Sequence, residues 1–302
     1  MLARKFKRLV VLIEIILKAH IFNFFWRPKV IRQNVRSSLI SSHFLENYLK
    51  EYLPSALMVK NEPISVHDNE KIFSIWFQGE QNAPDLVKSC FRSIRKHCKQ
   101  KLIILDDNNI FDYITLPKCI IEKYKSGKIR RAHFADICRV ELLYKYGGFW
   151  LDATCFTTAA IPQNIIDQDF FVYMAGSICP PSFIQNCFIR AKKGSYLLNA
   201  WREMIINYWK QENRSINYFM HQLLFKSLVS NNKIANELFN KMLHINQDPT
   251  HILYYQYSDI HFNKDDFKKI TKGVFFQKCC HHADNIPKPN SYLDFVLQYH
   301  NH

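Results

Sequence analysis

Seven glycines are spread over 302 residues, and two of them stand side by side at 147 and 148. So few glycines leave few points where the backbone can turn sharply from a helix into a strand. The pair closes an amphipathic helical stretch, "RAHFADICRVELLYKY" (131–146), and opens an apolar run, "FWLDATCF" (149–156). Helix, glycine turn, buried strand is a unit of layered α/β domains. One acid, Asp152, sits inside the apolar run. An unpartnered buried carboxylate is costly, so the run predicts a partner or a metal for it.

The flanking sequence repeats the alternation. "KIFSIWF" (71–77) reads as a buried first strand, and 83–98 as a helix with Pro84 near its start. "KLIILDD" (101–107) reads as a second strand ending in acids, and "FWLDA" as a third. Residues 170–174 and 187–191 are further strand candidates. Beyond 195 the pattern is mostly helical, with a short β segment at 273–278. This predicts an α/β fold, a mixed, largely parallel sheet with helices on both faces. Residues 37–53 look helical and end at Pro54, and 54–70 read as a linker. The expected division is an arm at 1–60 and a main domain at 61–302.

The formal net charge is +15, and +8 of it lies in residues 1–36, where nine Lys and Arg face Glu14 alone. That concentration, and the lack of a recognisable nucleic-acid module, argue against a nucleic-acid binder. Within the arm, Leu9, Leu12, Ile13, Ile16, Leu17 and Phe24 fall near helical spacing, but Glu14 and Lys18 interrupt them. The run is too short and charged to span a bilayer, and it lacks a small-residue cleavage site. A basic amphipathic helix ending in Phe24, Phe25 and Trp26 suits an anionic membrane surface. The alternative is a helix packed on the domain with its charges in water. The nine cysteines are odd in number and irregular in spacing, which predicts reduced thiols in the cytoplasm.

Open α/β sheets bind ligands at the C-terminal ends of their strands. Trp76, Asp106, Asp107 and Asp152 all lie at or near such ends. Asp136 and Arg139, spaced i,i+3, share one face of the helix before the glycine pair. With apolar neighbours, a pair that orients a polar ligand and a solvated ion pair are evenly matched, and the position just before the glycine pair and Asp152 tips the reading toward the ligand. "QKCCHHAD" (277–284) offers His281, His282 and Asp284, or else an ordinary polar loop. Adjacent Cys and His residues do not easily chelate one zinc ion together. His221 lies in an otherwise apolar helical stretch and reads as a core histidine, with an acceptor-facing role as the alternative.

"IWFQGEQNAP" (75–84), "LIILDDNN" (102–109) and "FADICRVELLYKYGGFWLDATCF" (134–156) together resemble the bacterial capsular polysaccharide synthesis proteins of the glycosyltransferase family 32 type. The likeness covers about residues 70–160. It implies a GT-A-type fold, a nucleotide-sugar donor, and a divalent cation, Mn²⁺ or Mg²⁺. In that resemblance Trp76 stacks on the base, Asp136 contacts ribose or sugar hydroxyls, and Arg139 holds the sugar or pyrophosphate. Gln78, Asp106, Asp107 and Gly148 complete the implied donor set. Asp152 is the first acid of a D-x-D motif, on metal and pyrophosphate, with Thr154 where the second acid is expected and His281 as the C-terminal metal ligand. Ala135 replaces the usual Ser before Asp136.

The resemblance further implies retaining transfer. With no obvious nucleophile pair in the sequence, it suggests front-face attack by the acceptor hydroxyl. The implied partners are a lipid-linked glycan acceptor and an anionic membrane, at the inner face of the plasma membrane. Thr154 is the one feature favouring an inactive interaction subunit instead.

Overall fold

The computed structural model describes residues 2–25, 45–65, 70–177, 182–280 and 287–299. Five strands build the main sheet: β1 (Lys71–Ile75), β2 (Lys101–Leu105), β3 (Gly148–Leu151), β5 (Phe170–Met174) and β6 (Ile184–Ala191). A two-stranded sheet pairs β4 (Cys155–Thr157) with β7 (Phe276–Lys278). The main sheet runs in the order β2-β1-β3-β6-β5. β1 is parallel to β2 and β3, and β6 is antiparallel to β3 and β5, so β6 alone runs against the rest. The result is a Rossmann-like, mostly parallel sheet of the kind the GT-A resemblance implies.

Alternation along the strands sorts their side chains to two faces. Phe73, Trp150, Val172 and Ile189 point into the larger core cluster. Ile72, Phe149, Leu151, Phe171 and Phe188 point into a second one. Helices α3 (Arg131–Tyr146), α4 (Tyr196–Gln211) and α5 (Met220–Asn231) contribute the larger cluster's other side. Helix α2 (Asp85–His97) covers the second face through Val87, Phe91 and Ile94. The strands are apolar on both faces because both are covered.

Local chemistry explains the boundaries. Helix α3 ends at Gly147, whose φ of +66° few other residues adopt, and Gly148 follows at +98°. Pro84 precedes α2 directly and leaves the helix no missing N–H. Pro54 does not end a helix as expected. It sits in the first turn of a short one, Leu53–Leu57, where a proline lacks nothing the helix needs. Sequence periodicity overlooks β4, which is three residues long and follows a turn. Residues 45–57 pack into the larger core, with Leu49, Tyr52 and Ala56 buried, although the expected boundary places them in the arm.

Helix α1 (Leu2–Phe25) lies against the body through buried Ile15. Arg8 bonds Glu212 at 2.8 Å, and Lys7 pairs with Glu51. Its other face exposes Phe6, Leu9, Val10, Ile13, Ile16, Leu17 and Ile21 as one stripe. Among the described residues no helix is long and apolar enough to cross a membrane. Trp26, residues 27–44 and the side chains of Phe24 and Phe25 lie outside what is described.

Candidate functional site

A cleft of about 600 Å³ opens at the C-terminal ends of β1 and β3 and at the start of the reversed strand β6. Trp76, Gln78, Asp136, Arg139, Asp152 and Thr154, all expected from the sequence, line it.

Trp150 and Asp152 are two residues apart, so the pleat turns both toward α3. The Trp150 indole N–H donates to Asp152 Oδ1 at 2.8 Å. Arg139 reaches down from α3, its guanidinium 4.9 Å from the Trp150 ring centre and 3.4 Å from the same carboxylate oxygen. Arg139 also donates to the Asn186 carbonyl at 2.6 Å and lies 3.1 Å from Asp136 Oδ1. One guanidinium thus ties α3, β3 and β6 together at the cleft floor. Its planar fork suits this better than a lysine would.

Asp136 is buried and surrounded by donors. Asn186 donates to Oδ1 at 2.8 Å, and His221 Nδ1 lies 2.9 Å from Oδ2. Burial pushes Asp136 up, but the His221 ring and the Arg139 guanidinium outweigh it and hold the carboxyl well below the usual range. His221 is fully buried, and burial pushes its ring toward the neutral form. Its Nε2 accepts the Trp209 indole N–H at 2.8 Å, so its proton sits on Nδ1, facing Asp136. His221 is thus a core residue, as expected, with its Nδ1 2.9 Å from Asp136 Oδ2.

The second Asp152 oxygen has a partner that sequence reading missed. Lys278 Nζ lies 3.0 Å from Asp152 Oδ2 and 2.5 Å from Thr154 Oγ1. The register of the small sheet sets Lys278 opposite Cys155, the residue after Thr154. Burial pushes Asp152 up, while Lys278 and then Arg139 pull it below the usual carboxylate range. Burial works against the Lys278 ammonium, but Asp152 more than restores it, so Lys278 stays charged.

Three expected donor residues do not reach the cleft. Asp106 Oδ1 accepts the backbone N–H groups of Asn108 and Asn109, closing an Asx-type turn after β2. Asp107 accepts from the Tyr124 hydroxyl at 2.6 Å and lies 3.4 Å from Arg131. Gly148 begins β3, at the edge opposite Asp152, and its carbonyl accepts from the buried Arg190. His281, His282 and Asp284 lie outside the described residues.

The cation implied by the resemblance does not fit the donors present among the described residues. Asp152 Oδ1 is engaged by Trp150 and Arg139, and Oδ2 shares the Lys278 ammonium with Thr154 Oγ1. A Mg²⁺ or Mn²⁺ ion placed on those oxygens would meet that ammonium. His133, Asp136 and His221 bring ligand atoms within 4.8 Å of one another. There Arg139 already balances Asp136, and His221 Nδ1 carries a proton rather than a free lone pair.

Asn186, Gln222, His251, Tyr218 and Lys278 also line the cleft. Their segments carry no spacing that marks them. Lys278 ends a three-residue strand, the one faint sign that it sits at an edge.

A polar cleft at the sheet edge of a Rossmann-like protein, floored by two carboxylates and the cations that hold them, is what the fold presents. Residues 22–296 match the family described as "Capsular polysaccharide synthesis protein", and the chain belongs to that family.

Glycosyltransferase afumC of Aspergillus fumigatus is 24% identical over 183 residues, 54% of this chain and 46% of that protein. O-glycosyltransferase braB of Annulohypoxylon truncatum is 24% identical over 177 residues, 53% of this chain and 42% of that one. O-glycosyltransferase PaGT of Phomopsis amygdali is 27% identical over 118 residues, 36% and 29% of the two chains. The chain thus spans less than half the length of these fungal relatives. No solved structure matches it.

Proposed function

We propose that this chain is a glycosyltransferase of the family 32 kind, moving a sugar from a nucleotide-sugar donor to a glycan acceptor in surface polysaccharide assembly. The observation that carries the reading is the convergence of Trp76, Asp136, Arg139 and Asp152 on one cleft. In this reading the base stacks on Trp76, Asp136 accepts from sugar or ribose hydroxyls, and Arg139 steadies the sugar and pyrophosphate. Family membership and the printed names of the fungal relatives support the same reaction class.

Transfer proceeds with retention, by front-face attack of the acceptor hydroxyl. Among the described residues Asp136 and Asp152 are the only carboxylates lining the cleft, and both are held by cations, which leaves neither as a free nucleophile. Trapping a glycosyl group on a side chain of this protein would refute that route.

The acceptor is carried by a lipid at the inner face of the plasma membrane. The exposed apolar stripe of α1 and the +8 charge of residues 1–36 support docking on an anionic surface.

The test is release of nucleoside diphosphate from a panel of UDP- and GDP-sugars, beside Asp152→Asn, with and without a lipid-linked glycan acceptor. One donor class turned over by the wild type and spared by the variant supports the reading. If no donor is bound or cleaved under any condition, the chain is a non-catalytic subunit of an assembly complex.

A further inference from the structure

We propose that Lys278, in place of a divalent cation, binds the donor's pyrophosphate and stabilises the nucleoside diphosphate as it leaves. This rests on the donor reading above and adds to it a residue and a cofactor requirement.

Lys278 occupies the position the resemblance gives to the cation, between Asp152 Oδ2 and Thr154 Oγ1. An acid at the second motif position would bring another negative charge to a metal. A threonine hydroxyl brings none, and it accepts a hydrogen bond from an ammonium. Thr154 therefore suits a lysine partner better than a metal.

The fold sets where the Lys278 backbone lies relative to the motif. Cys279 N–H donates to the Thr154 carbonyl at 2.8 Å, and Cys155 pairs with Lys278 in the β4–β7 ladder. Moving the Lys278 backbone off the motif would require unpairing that small sheet.

The ammonium also faces the cleft. Its side chain keeps 23% of its surface exposed, and Lys278 is among the lining residues. An ammonium has three N–H donors, and Asp152 and Thr154 engage two. The third is available to a phosphate oxygen. Arg131, Arg139 and Lys278 line the cleft beside Asp136 and Asp152, so a diphosphate entering it meets three cations.

In the transfer step the bond from the sugar's anomeric carbon to the β-phosphate oxygen breaks, and that oxygen takes the electron pair. The acceptor oxygen forms the new bond to the anomeric carbon, and its proton passes to the departing phosphate. Lys278 keeps its proton and donates a hydrogen bond to the oxygen on which charge develops. A fixed cation in a site shielded from water stabilises such charge without reorganising.

The experiment is calorimetric binding of UDP and of GDP to the full chain in EDTA, in Mg²⁺ and in Mn²⁺, beside Lys278→Met and Lys278→Arg. The expected result is wild-type affinity unchanged by EDTA to within about twofold. Lys278→Met should weaken binding about ten- to a hundredfold, the worth of a charge-assisted hydrogen bond, with no rescue by Mn²⁺. Lys278→Arg should retain most of the affinity, and its thermal melt separates loss of a ligand contact from loss of fold.

Binding that needs a metal in the wild type, or full affinity of Lys278→Met in EDTA, would overturn the proposal while the donor reading stands. Failure of both nucleotides to bind in every condition would overturn the donor reading and this proposal with it.

Discussion

The Trp209 indole N–H donates to His221 Nε2 at 2.8 Å, and the other nitrogen of that ring lies 2.9 Å from Asp136. A tryptophan outside the cleft thereby selects the tautomer that faces a carboxylate inside it. His221→Asn keeps an N–H near Asp136, whereas His221→Leu keeps none. Leucine should lower stability by about 1–3 kcal/mol, the penalty of a buried acceptor losing its donor. Asparagine should recover part of that loss. Urea unfolding midpoints of the two variants check the ranking.

Arg139 touches Asp136, Asp152 and the Asn186 carbonyl at once. Arg139→Ala leaves the buried Asp136 short of its cation and Asp152 with Lys278 alone, and should destabilise by about 3–5 kcal/mol. Arg139→Lys restores the charge but not the fork, and should fold while losing most turnover. Comparing unfolding with donor cleavage for both variants separates the two roles.

Trp76 is half-buried at the end of β1 and lines the cleft. If it carries the base, Trp76→Ala should weaken nucleoside diphosphate binding by about 1–3 kcal/mol, the usual worth of a stacked base. Trp76→Phe keeps a ring face and should lose much less. Calorimetric titration of both variants decides.

His251 lies in the cleft wall, where burial and then the Lys278 charge depress its ring to about 4 from 6.5. The folded state therefore binds fewer protons than the unfolded chain between those two values. Stability should fall as the pH drops through that window, by up to roughly 3 kcal/mol. Asp136 and Asp152 are held below the usual range, so their contribution persists above the unfolded carboxylate value and is lost only at lower pH. His251→Gln should remove the His251 share of that fall, leaving the part that the depressed His221 ring contributes and the more acidic limb. Melting temperature across pH 3 to 8 reads both.

On α1, Ile13 and Leu17 are exposed one turn apart. Ile13→Glu with Leu17→Glu should leave the body's melt unchanged. Removing two side chains worth about 1.5–3 kcal/mol each when buried should cut binding to anionic vesicles by well over about tenfold. Co-sedimentation with phosphatidylglycerol vesicles at low and high salt measures it.

Much of the frame was legible in the chain. Apolar runs marked β1, β2, β3 and β5, and the 131–146 helix falls on its periodicity. Asp136, Arg139 and Asp152 were legible as a group because i,i+3 spacing on a helix and a strand end after two glycines each restrict direction. Asp106 and Asp107 misled for a local reason. Acids at a strand end look alike whether they face a ligand or cap a turn, and the following asparagines draw Asp106 into a turn. Gly148 misled because its turn and the site lie at opposite ends of one short strand.

Sequence alone determined the alternation of strands and helices, the position of the glycine turn, and the placing of a carboxylate among aromatics. These follow from short-range rules: backbone freedom, periodicity and capping. Only the tertiary structure decided what faces that carboxylate. Lys278 lies 126 residues from Asp152, and Asn186 lies 50 from Asp136. The pairing of β4 with β7 and the reversal of β6 bring them there. Such long-range pairings depend on which apolar faces bury one another across the whole domain, and no local pattern in the chain encodes them.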